Sequence, residues 1–111
     1  MEVTVLTVAD CPNGQLIEER LAQVLVGWDG VSVLRRVIDD ETDAQRFGMR
    51  GSPTLLIDGT DPFATEGAPF SVSCRIYRTE AGALDGAPPV AALHRAFQDA
   101  EDRALPPPEP A

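Results

Sequence analysis

Residues 39–59 read DDETDAQRFGMRGSPTLLIDG. Four carboxylates, Asp39, Asp40, Glu41 and Asp43, open a short helix, where the helix dipole favours negative charge. They read as helix capping, because a hard cation would need more oxygens held in a loop. Gly48 closes that helix, glycine being the usual residue just past a helix end. Ser52-Pro53 follows, then Thr54-Leu55-Leu56-Ile57 as a strand and Asp58-Gly59 as a turn. Helix, proline loop and strand thus occupy only 21 residues.

Toward the N-terminus, Val3, Val5, Leu6 and Val8 form a β-branched apolar run. That suits a central strand buried on both faces. Pro12 starts a helix, in which Ile17, Leu21, Val24 and Leu25 recur at helical spacing. Gly27 stops it, Asp29-Gly30 turns the chain, and Val31, Val33, Arg35 and Val37 alternate in a second strand. Residues 3–37 therefore read strand–helix–strand, a unit that is parallel and right-handed in nearly all cases. Downstream, residues 60–71 are loop-like, with Pro62, Gly67 and Pro69 breaking any pattern. Val72 to Tyr77 form a fourth strand containing Cys74, and turns stand at Ala81-Gly82 and Asp85-Gly86. Val90, Leu93 and Phe97 mark a last amphipathic helix. The order is β-α-β-α-β-β-α, without internal repeat.

A chain of 111 residues and 43% apolar content fits one globular domain with a modest core. No apolar run approaches the ~18 residues of a membrane span. The N-terminal residues enter a strand pattern directly, with no basic and apolar leader, so the expected location is cytoplasmic. The net charge of −9 argues against nucleic acids and anionic membranes as partners. All nine positive residues are arginine, so no lysine Schiff base or lysine general base is available. Two cysteines without a leader point to free, catalytic or metal-binding thiols rather than a structural disulfide. The end of the chain, Leu105-Pro106-Pro107-Pro108-Glu109-Pro110-Ala111, cannot continue a helix and is expected to be extended or disordered.

The element order, with Phe47-Gly48, Arg50-Gly51 and Ser52-Pro53-Thr54 in sequence, resembles the thioredoxin-like family. The resemblance covers roughly residues 2–99. It implies an α/β fold with a four-stranded mixed sheet and flanking helices over residues 1–100, leaving 101–111 as a Pro-rich tail. Spacing alone reads the Ser52–Pro53 bond as trans, since only about 5% of such bonds are cis. The resemblance implies cis, with Pro53 facing the reactive cysteine. The Ser52 backbone would then be free to pair with a bound peptide or thiol ligand as an added strand.

Cys11 lies at the family's nucleophile position, in the stretch TVADCPNGQ, residues 7–15. A helix start favours thiolate through unpaired N–H groups and a partial positive charge, while the Asp10 carboxylate works against it. Inert packing at a strand end is the other reading. The family's second thiol would stand at Gly14. Its absence leaves three possibilities: Cys11 acts alone, as monothiol relatives do with glutathione; it acts with Cys74 as a remote thiol; or only a binding surface is kept. Cys74 is otherwise a buried strand cysteine. With residues 54–57 and 72–77 as an antiparallel pair, Cys74 comes within a rung or two of Cys11, and residues 58–71 could bring Phe63 or Phe70 over the site.

Residues 51–63, GSPTLLIDGTDPF, and 71–82, SVSCRIYRTEAG, also resemble small actinobacterial domains labelled as, or associated with, alkylmercury lyase. Those lyases use two cysteines and an aspartate, which Cys11, Cys74 and Asp10 match in type but not in spacing. Soft thiolates suit mercury or copper(I). Zinc is poorly served, since two cysteines and the lone His94 give three ligands at best, so no metal site and no cofactor are assigned. His94 reads as a surface residue of the last helix and Trp28 as a core or edge aromatic. Arg50 is either solvated or an attractor of a thiolate or carboxylate. The expectation is a thiol protein in which Cys11 and Cys74 carry the chemistry and Pro12, Arg50, Ser52 and Pro53 contact the substrate. That substrate is a thiol or disulfide of protein or small-molecule origin. A soft-metal or organomercurial binder and a non-catalytic docking domain are the rivals.

Overall fold

The central strand β1 (Glu2–Thr7) buries Val3 and Val5 toward one side of the sheet and Leu6 toward the other, as the two-residue period of a strand requires. In this computed structural model, which describes residues 1–79 and 81–104, β1 pairs in parallel with β2 (Ser32–Val37) and antiparallel with β4 (Thr54–Ile57). The mixed sheet has the order β2-β1-β4. Between β1 and β2 runs α1 (Pro12–Val24), whose Ile17, Leu21 and Val24 face the sheet. Helix α3 (Val90–Ala104) lies on the same side, adding Leu93, Ala96, Phe97 and Ala100 to that core. Helix α2 (Glu41–Phe47) covers one end of the other side, where Ala44 packs with Leu6, Ile38 and Met49. The domain is a compact α/β unit with a mixed sheet and three helices.

Helix α2 is capped as its composition implies. The Asp43 N–H donates to Asp40 Oδ1 at 2.8 Å, and Gly48 adopts the left-handed conformation at φ 89°, which glycine tolerates without a Cβ clash. Trp28 is half-buried and meets Phe97 edge to face at 5.9 Å. His94 is exposed on α3. Helix α3 runs on to Ala104, so residues 101–104 belong to it rather than to a tail; residues 105–111 lie outside the described residues.

The four-stranded sheet is not what forms. The segment read as one strand, 72–77, divides into β5 (Ser71–Cys74) and β6 (Tyr77–Arg78), and neither pairs with β4. Strand β5 instead lies parallel to β3 (Arg50–Ser52), with Ser52 opposite Cys74, and β6 forms a ribbon with β7 (Leu84–Asp85). The cause is Arg75. Its guanidinium donates to Asp61 Oδ2 at 2.6 Å, Phe63 O at 2.7 Å and Thr54 Oγ1 at 3.2 Å. It leaves only 11% of its side chain exposed, and Asp61 only 3%. A buried charge requires such partners, so Arg75 turns inward and breaks the strand. Gly51, at φ 99°, permits the approach: a Cβ there would stand 2.8 Å from Arg75 Cβ and 3.2 Å from Ser73 O.

Among the described residues, strand β2 pairs only with β1, and all six of its residues are exposed. No helix is long and apolar enough to cross a membrane, among the described residues.

Candidate functional site

Strand β1 delivers the chain to Asp10, which takes a left-handed turn at φ 58°, a conformation aspartate tolerates better than most residues. Cys11 follows as the N-cap of α1, in extended conformation, with Pro12 in the first helical turn. The thiol is partly buried, and its side chain makes no capping hydrogen bond. Pro12 is exposed beside it. A hollow of about 240 Å³ opens next to Cys11, bounded by Asp10, Gln15, Glu18, Arg35 and Val37. The Arg35 and Glu18 side chains form an ion pair across it.

Gly14 is buried directly under this helix start. A Cβ built on it would lie 3.9 Å from Cys11 Cβ and 3.0 Å from Thr7 Cγ2. The first value falls inside the ~3.5–4.5 Å range of disulfide-bonded cysteines. The helix start therefore keeps the separation that a vicinal dithiol needs, with a hydrogen in place of the second side chain.

Ser52 is 1% exposed and Pro53 is fully buried, and the peptide between them is cis, as the family resemblance implies. The Ser52 hydroxyl accepts from the Val8 N–H at 3.0 Å, which ties the proline loop to the strand end leading to Cys11. The backbone of this loop is not free for a ligand, contrary to expectation. The Arg75 N–H donates to Ser52 O at 3.0 Å, and the Tyr77 hydroxyl donates to Pro53 O at 2.5 Å. Strand β5 already takes the place an added strand would fill. Burial pushes the Tyr77 phenol well above its usual pKa, opposed by the charge of Arg75 and reinforced by that of Asp61, so it stays a hydrogen-bond donor.

Cys74 is exposed rather than buried, opposite Ser52, and the two cysteines are not bonded to each other. Neither Cys74 nor Pro53 lines the hollow beside Cys11. Arg50 turns toward the loop instead, donating to Ala68 O at 3.3 Å and lying 4.7 Å over the Phe70 ring. Phe63 packs edge to face on Tyr77 at 5.7 Å. Among the described residues, no group of three His, Cys, Asp or Glu side chains could hold a metal ion.

Sequence reasoning missed two supports of the site. One is the Asp61–Arg75–Tyr77 network, which holds β5 against the proline loop. The other is the loop before α3. Arg20 donates to Ala87 O at 2.9 Å and pairs with Asp85 at 3.0 Å, and Gly86 packs so closely on the Asn13 amide that a Cβ there would stand 2.4 Å from Asn13 Cγ and require that side chain to move. The only advance signal was a compatible charge pair in each case, with no periodicity to single it out. Comparison with family models, with curated proteins and with solved structures finds no match.

Proposed function

We propose that this chain is a thioredoxin-like thiol protein in which Cys11 exchanges disulfides through a single nucleophilic sulfur. The carrying observation is the helix start: a partly accessible Cys11 at the N-cap of α1, a hollow beside it, and Gly14 at disulfide distance but without a thiol. The order β2-β1-β4, with α1 in the first crossover, supports the family reading.

The chemistry follows from the missing neighbour. The Cys11 thiolate attacks one sulfur of a substrate disulfide; the S–S bond breaks, and the departing thiolate takes a proton from water. No thiol at position 14 can resolve the resulting mixed disulfide. A second, external thiolate must attack it, releasing Cys11 and forming a new disulfide on the substrate side. Cys74 is poorly suited to that role, because it stands beside Ser52 and outside the hollow that serves Cys11.

Intact-mass measurement after exposure to bis(2-hydroxyethyl) disulfide tests this. One adduct on Cys11 is expected, removable by added thiol, abolished by Cys11→Ser and unaffected by Cys74→Ser. An adduct carried by Cys74 alone, or none on the native protein, would make the chain a binding domain rather than a thiol exchanger.

A further inference from the structure

Away from Cys11, a hollow of about 430 Å³ opens between β6 and the start of α3. Its volume lies within the ~300–1,000 Å³ of small-molecule sites. Acidic residues outnumber arginines 18 to 9 in this chain, yet no described residue lining this hollow is acidic, while Arg75, Arg78 and Arg95 all line it. Arg75 is committed to Asp61, so it serves as a fixed wall. Arg95 also has partners of its own. Arg78 is exposed and forms no ion pair among the described residues.

Two further features converge on the same place. Helix α3 begins there, with Pro89 and Ala92 in the lining, and its first turn contains no acidic residue. The unpaired N–H groups of a helix start add to a positive field. Besides Thr65, the rest of the wall offers apolar surface: the Phe63 and Tyr77 rings, locked edge to face, and Ile76, 64% exposed. An exposed isoleucine beside an arginine with no counter-ion among the described residues, in a strongly acidic protein, fits a ligand with one anionic end and one apolar end.

We infer that this hollow binds a small amphipathic carboxylate, with the carboxylate at Arg78 and the α3 start and the hydrocarbon against Phe63 and Ile76. Charge-assisted hydrogen bonds to a guanidinium supply orientation, and the apolar side chains supply burial for the hydrocarbon. The Asp61–Arg75 anchor keeps the walls preformed, which lowers the ordering cost of binding.

Titration calorimetry with sodium octanoate, and with 1-octanol as its neutral counterpart, tests the inference. Octanoate should bind saturably at one site and at least tenfold more tightly than octanol, and its affinity should fall as salt rises. Arg78→Ala should weaken octanoate at least tenfold while leaving octanol unchanged; Arg78→Lys should retain much of the affinity. Both side chains changed here are exposed, and a thermal melt checks folding. Ile76→Asp, which sets a negative charge on the wall, should abolish octanoate binding. No saturable octanoate binding, equal binding of the alcohol, or an Arg78→Ala variant with native affinity would overturn the assignment.

Discussion

Replacing Arg75 with alanine should be the most damaging single change outside the hydrophobic core. The side chain makes four described hydrogen bonds, to Thr54 Oγ1, both Asp61 oxygens and Phe63 O. Its removal leaves Asp61, 3% exposed, with only the Phe63 N–H at 2.9 Å as a described partner. Breaking a buried pair by deleting one member costs about 3–5 kcal/mol, because the other charge stays desolvated. For a domain of this size that corresponds to a fall in Tm of roughly 12–20 °C. Asp61→Asn strands the Arg75 charge instead but should cost less, since the amide oxygen can still accept from the guanidinium, which also keeps Thr54 Oγ1 and Phe63 O. The double change Asp61→Leu with Arg75→Met should recover most of the loss, as apolar replacement of a buried pair often does. Thermal melts of the four proteins measure the set. Hydrogen exchange at the Arg75 amide gives an independent readout, because that N–H holds Ser52 O and should lose protection when β5 loosens. A Tm within about 2 °C of native for Arg75→Ala would refute the view that this pair fastens β5 to the proline loop.

Gly14→Cys should form a disulfide with Cys11 under mild oxidation. The Cβ separation of 3.9 Å is right for the bond, while Thr7 Cγ2 at 3.0 Å must yield by a few tenths of an ångström; peptide mapping checks the pairing, and Thr7→Ser should favour it. Asp85 should make stability fall with acid. Burial alone would raise its carboxyl, but the hydrogen bond from Arg20, the Gly86 and Ala87 N–H groups and the Arg20 charge together hold it below the ordinary 3.8. A depressed folded pKa contributes stability above the unfolded value of about 3.9, and that stability is lost as pH falls through the folded value. Urea melts below pH 4 should therefore show a flatter pH dependence for Asp85→Asn than for the native chain, and the difference should shrink in salt, since Asp85 stands near solvent.

The local grammar of this chain was readable because each signal is carried by neighbours in sequence. Pro12 and Gly27 bracket α1, Asp40 and Gly48 bracket α2, and the apolar runs at 3–8 and 54–57 become the central strand β1 and its antiparallel neighbour β4. Strand pairing beyond β4 was not readable. A buried ion pair between residues 61 and 75 leaves no periodic trace, yet it decides that the chain after β5 turns inward at Arg75. The same contact closes the edge at Ser52 that the family resemblance leaves open. Cys11 was legible as a helix-start thiol; the exposure of Cys74 was not, because a strand of mixed small residues gives no face assignment without knowing its partner.

The two cysteines offer the most direct test of the central claim. Cys74 is exposed and Cys11 is only partly so, so accessibility alone favours alkylation of Cys74. Activation at a helix start favours Cys11. A short iodoacetamide pulse near neutral pH, read by peptide mass spectrometry, sets the two against each other. Cys11 should label first despite its burial; equal labelling, or faster labelling of Cys74, would contradict its assignment as the nucleophile.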